Sequence, residues 1–123
     1  MNQERVAILG ASDKPDRYAY KAFKMLRQHG HEVVPVHPVL TEIEGTPVLP
    51  SLSDIQGGVE TLTLYVNPSI SSAAADAIVA LNPARVIFNP GTENPELAAK
   101  LDAAGIAHQE ACTLVLLATG QFV

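Results

Sequence analysis

Short apolar runs alternate with amphipathic stretches along this chain, and the alternation predicts strands separated by helices. The run at 6–9 is continuously apolar, as is typical of a strand buried on both faces. Runs at 32–36, 61–66 and 85–88 predict three further strands, and 108–112 predicts a last one. Strands that alternate with helices form a doubly wound, mainly parallel sheet, so we expect an α/β fold.

Helical spacing is clearest at 18–29, where four apolar residues recur at intervals of three and four and Gly30 follows as a stop signal. They are Ala19, Ala22, Phe23 and Leu26. An alanine-rich stretch at 72–81 predicts a second helix, with Ser69 or Ser71 as its N-cap.

A third helix is predicted from Asn94 as N-cap and Pro95 as first residue, and it extends to about residue 104. Elsewhere the pattern is weaker. The segment 46–50 predicts a short edge strand because its prolines are tolerated there. Residues 53–55 predict one helical turn, and the apolar tail 114–118 fits either a helix or a strand.

The length of 123 residues fits a single domain over 1–123. In doubly wound sheets, ligands bind beyond the carboxyl ends of the strands. We therefore expect the site in the loops that follow Leu9, Val36, Val66 and Phe88.

Overall charge excludes some classes of partner. The formal net charge is −5, and an acidic chain is a poor nucleic-acid binder. One cysteine cannot form an internal disulfide or a multi-cysteine metal site. No segment resembles a signal peptide or a membrane span, so we expect a cytoplasmic protein without a membrane partner.

Positive charge is concentrated near the amino terminus. Six of the eight basic residues lie within the first 27 positions: Arg5, Lys14, Arg17, Lys21, Lys24 and Arg27. They surround the turn after the first strand, where Gly10 leads through small and polar residues into a helix. Such a turn directs backbone N–H groups at one point and favours an anion. The sequence therefore predicts a phosphorylated small-molecule ligand.

A dinucleotide-binding fingerprint is incomplete here. Its three glycine positions correspond to Gly10, Ser12 and Pro15, and the second strand ends at Val36-His37-Pro38, where no carboxylate is available for a ribose. These departures weaken an NAD(P) interpretation, although a nucleotide-binding enzyme stays open at this stage.

Several motifs resemble the small stand-alone CoA-binding domain proteins. They are Val6-Ala7-Ile8-Leu9-Gly10-Ala11-Ser12 followed by Pro15 and Arg17, then Gly30-His31-Glu32-Val33-Val34-Pro35-Val36-His37-Pro38, and more weakly Gly45-Thr46-Pro47-Val48 and Leu52-Ser53-Asp54-Ile55. The same Rossmann-like unit forms the amino-terminal domain of the succinyl-CoA synthetase alpha subunit. The resemblance covers nearly the whole chain and implies a Rossmann-like fold that binds CoA or acyl-CoA without covalent chemistry.

The resemblance also implies the site residues. Gly10, Ala11, Ser12 and Arg17, with Lys14 nearby, would hold phosphates. The adenosine part would be bordered by Val36, His37 and Pro38. The pantetheine path would be lined by Val66, Asn67 and Pro68, and the thiol end would lie near Asn89, Pro90 and Gly91. His37 departs from the asparagine usual at this position. The synthetase reaction uses a histidine in a second domain, so we do not expect that reaction here.

Two other features suggest different functions. His108, Glu110 and Cys112 would share one face of a strand, an arrangement compatible with a nucleophile or a metal ligand, but a buried structural cysteine is the commoner case. The apolar segment 114–117 could instead be a surface for a homodimer or another protein, in a regulatory module whose pocket is vestigial.

Overall fold

The chain forms a five-stranded parallel sheet with helices on both faces in a computed structural model that describes residues 3–123. The sheet strands are β1 Arg5–Leu9, β2 Glu32–Val36, β5 Thr61–Leu64, β6 Arg85–Phe88 and β7 Ala107–Glu110. Two short strands, β3 Glu42–Ile43 and β4 Thr46–Pro47, pair antiparallel as a separate hairpin. The fold is thus a single Rossmann-like α/β domain, as the sequence predicts.

Helices connect the strands in the predicted order. They are α1 Tyr18–Gln28, α2 Pro68–Ala73, α3 Ala75–Leu81, α4 Pro95–Ala104 and α5 Thr113–Ala118, and a single 3-10 turn covers Leu52–Asp54. The apolar tail is therefore a helix. None of the helices within 3–123 is long and apolar enough to cross a membrane.

Strand order in the sheet is β2-β1-β5-β6-β7. The chain moves outward from β1 to β2, then crosses back to β5 on the other side of β1. The switch point therefore lies between β1 and β5, because the loop after β1 leads to α1 on one face of the sheet and the segment after β5 leads to α3 on the other. Tyr65 extends this pairing, since its amide donates to Leu9 O at 2.9 Å.

The core has two layers, one on each face of the sheet. Alternate residues of β1 face opposite ways, so Ala7 packs with the α3 and α4 side whereas Val6 and Ile8 pack with α1 and α5. All three are fully buried, which explains why β1 is continuously apolar.

Four predictions about elements need correction. The helix predicted at 72–81 begins earlier, at Pro68, and is interrupted at Ala74. Its cap is Asn67, whose side chain accepts from the Ile70 amide at 3.0 Å, and neither Ser69 nor Ser71 caps it. A proline at the first helical position needs no N–H partner, so an Asn-Pro pair starts a helix efficiently.

The third strand was predicted to extend to residue 66, but it ends at Leu64. The last strand was predicted over 108–112, but β7 ends at Glu110 because Cys112 is already the residue that precedes α5. The predicted edge strand at 46–50 is divided between β4 and a single parallel bridge from Leu49 to Val36.

Candidate functional site

A cleft of about 1060 Å³ opens above the carboxyl ends of β1, β2 and β5. One side is formed by the β1–α1 loop, from Gly10 to Ala19, and the opposite side by Val66, Asn67 and the exposed face of α2 and α3. The third side comes from His37 to Leu40 with the 3-10 turn. The cleft thus lies at the switch point of the sheet, where α/β domains of this type bind ligands.

Most of the predicted site residues line this cleft: Gly10, Ala11, Ser12, Lys14, Arg17, Val36, His37, Pro38, Val66 and Asn67. The cleft is also lined by Tyr18, Tyr65, Ile70 and alanines of α2 and α3, none of which is predicted from the sequence. The alanine-rich pattern at 72–81 was the sequence signal for the alanines alone.

Gly10 is required for two steric reasons. Its φ of +91° is a conformation that side-chain-bearing residues rarely adopt. A Cβ on this residue would also lie 2.7 Å from Tyr65 O and from a Val66 methyl carbon. Glycine therefore lets the β1–α1 turn pass close to the end of β5, and this contact closes the floor of the cleft.

The amides of the first two turn residues are engaged within the protein. Gly10 N and Ala11 N both donate to Val36 O at 3.1 Å, which joins the turn to the end of β2. In the described part of the chain, the amides of Ser12 and Asp13 have no main-chain acceptor. An anion at this turn would therefore contact the amides of Ser12 and Asp13. The amides of Gly10 and Ala11, which the family resemblance also assigns to phosphate, are not available for it.

Ser12 shapes the turn with its side chain. Its Oγ accepts from the Lys14 amide at 3.1 Å, which leaves the hydroxyl hydrogen free to donate. Arg17 precedes the first residue of α1, and its side chain makes no capping hydrogen bond. The first-turn amides of α1 and the exposed Arg17 and Lys14 side chains therefore offer donors and positive charge at the same end of the cleft.

The basic cluster of the sequence separates into two groups in the structure. Arg5 lies at the opposite end of β1, where it pairs with Glu32 at 2.9 Å and donates to Gln56 O and Gly58 O. Lys24 pairs with Glu44 of the hairpin at 2.7 Å, and this bond holds the pKa of the Glu44 carboxyl below its usual value. Lys14 and Arg17 are the basic residues that line the cleft, and Asp13 accompanies them.

His37 acts as a hydrogen-bond acceptor for its own loop. Its Nδ1 lies 3.1 Å from both the Val39 and the Leu40 amides. An accepting Nδ1 carries no proton, so the neutral ring has its hydrogen on Nε2. The histidine thus closes the loop after β2 and presents a donor on its other nitrogen.

Asn89 is positioned by the core and does not line the cleft. It is 2 % exposed, and its Nδ2 donates to Thr63 Oγ1 at 2.6 Å and to Leu64 O at 2.8 Å. Its Oδ1 accepts from the Thr113 amide at 2.9 Å. Pro90 and Gly91 are exposed on the loop beyond it, and neither they nor Pro68 are among the described residues that line the cleft.

Tyr65 lines the cleft beside this buried network. Burial raises the pKa of its phenol to about 12, while hydrogen bonding to Thr113 and Thr63 acts in the opposite direction. The hydroxyl is therefore neutral at ordinary pH.

The predicted histidine, glutamate and cysteine arrangement is not assembled. His108 Nε2 bonds to Asp102 Oδ1 at 2.8 Å on α4, and Cys112 lies beyond the end of β7. Within residues 3–123, no group of three or more His, Cys, Asp or Glu side chains is placed to hold a metal ion.

Fold and cleft together define a Rossmann-like α/β domain with an open cleft at its switch point. Sequence comparison then identifies the family. The chain belongs to the CoA-binding domain family, whose model matches residues 4–118.

Three individual proteins are similar to this chain. The chain is 32% identical over 62 residues to the uncharacterised protein YneT of Bacillus subtilis. It is 32% identical over 66 residues to the alpha subunit of an ADP-forming acetate–CoA ligase II of Pyrococcus furiosus. The matched regions cover 50% and 53% of this chain but only 46% and 14% of those proteins. A crystal structure of an uncharacterised protein matches with a TM-score of 0.92 and 43% identity, covering 99% of this chain and 100% of the other.

Proposed function

We propose that this chain binds CoA or an acyl-CoA noncovalently in the cleft at the switch point. The observation that carries the proposal is the location of Ser12, Lys14 and Arg17 at one end of the cleft, in a chain that belongs to a CoA-binding family. A diphosphate needs hydrogen-bond donors and positive charge, and these residues supply both.

The ligand's phosphates would contact the Ser12 region and the first turn of α1. The free amides of Ser12 and Asp13 support this assignment, whereas those of Gly10 and Ala11 already bond to Val36 O. Gly10 and Ala11 would then contribute a close-fitting floor. The rest of a long ligand has room along Val36, His37 and Pro38 on one side and along Val66 and Asn67 on the other.

Calorimetric titration with CoA tests this assignment through a matched pair of basic residues. Arg17→Ala should weaken CoA binding by roughly tenfold or more, since a hydrogen bond to a charged group contributes about 1.5–3 kcal/mol. Lys24→Ala is the control because Lys24 pairs with Glu44 outside the cleft, and it should change the affinity by less than about twofold. Equal losses in the two variants would contradict the phosphate site.

A thermal-stability panel of CoA, acetyl-CoA, NAD, NADP and ATP tests the ligand class. A ligand at 100 times its dissociation constant should stabilise the fold by about 2.7 kcal/mol. Stabilisation by NADP without stabilisation by CoA, or no response to any of the five compounds, would overturn the proposal.

A further inference from the structure

One wall of the cleft is a helix that has almost no apolar anchor. In α2, Ile70 and Ala73 line the cleft, yet Ile70 is 48% exposed. Ser71 is the one buried side chain of this helix, and it is fully buried. A surface helix is normally held to its domain by an apolar stripe. Since the inward-facing residue of α2 is a serine, hydrogen bonds must supply much of what holds this helix in place.

Those hydrogen bonds come from Asn94, the residue that precedes α4. Its Oδ1 accepts from the Leu97 amide at 3.1 Å, and this bond fixes the orientation of the side-chain amide. Its Nδ2 therefore faces α2, where it lies 2.8 Å from Ser71 Oγ and 2.9 Å from Ser72 Oγ, with Pro68 O at 3.1 Å. Asn94 is 5% exposed, so these bonds are protected from water.

Helices α2 and α3 are joined through Ala74, whose amide donates to Ile70 O at 3.1 Å and whose carbonyl accepts from the Ile78 amide at 2.9 Å. The helical backbone is interrupted at Ala74, between α2 and α3, because the ψ of 2° at this residue departs from helical geometry. The buried residues Ala75 and Ile78 anchor α3 beyond this interruption. A helix of six residues is also too short to be stable by itself. Asn94 is the residue whose side chain joins α2 to α4 through hydrogen bonds.

We infer that Asn94 is a positioning residue for the cleft: its Nδ2 holds α2 against α4, so that Ile70 and Ala73 form a fixed wall for the ligand. Asn94 itself does not line the cleft. The part of this inference that concerns affinity rests on the proposed CoA binding. The part that concerns the position of α2 stands on the hydrogen bonds alone.

Asn94→Ser separates the two roles of this side chain, which are to cap α4 and to donate hydrogen bonds to α2. A serine at this position still caps α4 with its hydroxyl, but it is too short to reach Ser71 and Ser72. Hydrogen exchange should therefore become about tenfold faster at the Ser71 and Ala74 amides, while α4 keeps its protection. CoA affinity should fall by about fivefold or more, because the binding-competent position of the wall is populated less often.

Ser71→Ala and Ser69→Ala form a matched pair on α2 itself. Ser71 accepts from Asn94, whereas Ser69 is exposed and makes no such contact. Ser71→Ala should reproduce the faster exchange and the weaker binding, and Ser69→Ala should leave both unchanged. Ile106→Val, a core change remote from the cleft, controls for a general loss of stability and should change neither α2 exchange selectively nor affinity.

The outcomes separate this inference from the proposed function. Parent-like exchange in α2 of both Asn94→Ser and Ser71→Ala would overturn the positioning role. Faster exchange with unchanged CoA affinity would show that the wall does not contribute to binding, which also overturns it. If the parent protein does not bind CoA, the proposed function fails, and the exchange data still decide whether Asn94 holds α2.

Discussion

His37 shows how the geometry of one atom can matter more than the type of residue. The family resemblance favours asparagine at this position, and the sequence left the role of a histidine open. In the structure, Nδ1 accepts from two consecutive backbone amides of its own loop. The Oδ1 of asparagine lies at the same distance along the side chain and can accept the same bonds, as in an Asx-turn.

We therefore predict that His37→Asn keeps the loop intact. Its free energy of unfolding should lie within about 0.5 kcal/mol of the parent, whereas His37→Ala should lose about 1 kcal/mol because two amides lose their acceptor. Urea denaturation measures the difference. Equal stabilities for the alanine and asparagine variants would show that the acceptor role is unimportant.

For two more residues, the contacts in the structure go beyond or differ from what the sequence predicted. Gly10 was predicted as a turn residue, and its positive φ agrees with that prediction. The sequence could not predict its close approach to Tyr65 O, because that contact joins residues 55 positions apart. Asn89 was placed near the thiol end of a ligand, but its side chain bonds to Thr63, Leu64 and Thr113 inside the protein.

At the scale of elements, one sequence signal was used for one helix and missed for another. The pair Asn94-Pro95 correctly predicted the start of α4. The same pair occurs at Asn67-Pro68, where it starts α2 by the same mechanism. The alanine-rich pattern further along drew the predicted start to residue 72 instead, so the first part of the cleft wall was assigned to a loop.

The carboxyl-terminal helix was predicted only as an apolar segment that fits a helix, a strand or an association surface. In α5, Leu117 is 4% exposed and packs into the layer that contains α1, while Val115 is 55% exposed. The residues on either side of Val115 are not fully exposed, so much of this segment is used within the domain.

We predict that Leu117→Ala destabilises the fold by about 2–5 kcal/mol through the loss of a buried side chain. Val115→Ala on the same helix should change the free energy of unfolding by less than about 0.5 kcal/mol. Chemical denaturation of the two variants checks this prediction. A larger effect at Val115 would indicate that this face is covered in solution by another copy or by a partner.

At the scale of the whole molecule, the two ends of the strands have different roles. The cleft lies at the carboxyl ends of the strands, and distant parts of the chain meet at their amino ends. There Arg85 donates to Thr61 Oγ1 at 2.8 Å and to Phe122 O at 2.7 Å, and its guanidinium lies over the Phe122 ring. His31 packs on the same ring and accepts from the Glu4 amide at 2.9 Å.

This junction gives the fold a dependence on pH. Burial lowers the pKa of His31 below its ordinary value, and the nearby Glu4 carboxylate opposes this effect only in part. Between the unfolded pKa of about 6.5 and the lower folded-state pKa, the unfolded chain therefore binds a proton that the folded protein does not. The contribution of His31 to stability is present above the unfolded pKa and decreases as the pH falls.

We predict that His31→Gln weakens this dependence. Urea denaturation at several values between pH 7.5 and 5.5 should show a smaller loss of stability in the variant than in the parent, because one titrating group has been removed. The variant will be less stable overall, so the comparison concerns the slope with pH rather than the absolute value. Equal slopes would exclude His31 as the cause.

By itself the sequence determined the elements whose signals are local: the buried parallel strands, the amphipathic α1, the capped α4, the turn at Gly10 and hence the α/β class. These signals depend on spacing and on backbone conformation within a few residues. Only the tertiary structure decided which donors remain free at the turn, which basic residues face the cleft, and how α2 is held. Each of those outcomes depends on a partner far away in the chain, such as Val36 for the Gly10 amide, Glu44 for Lys24 and Asn94 for Ser71.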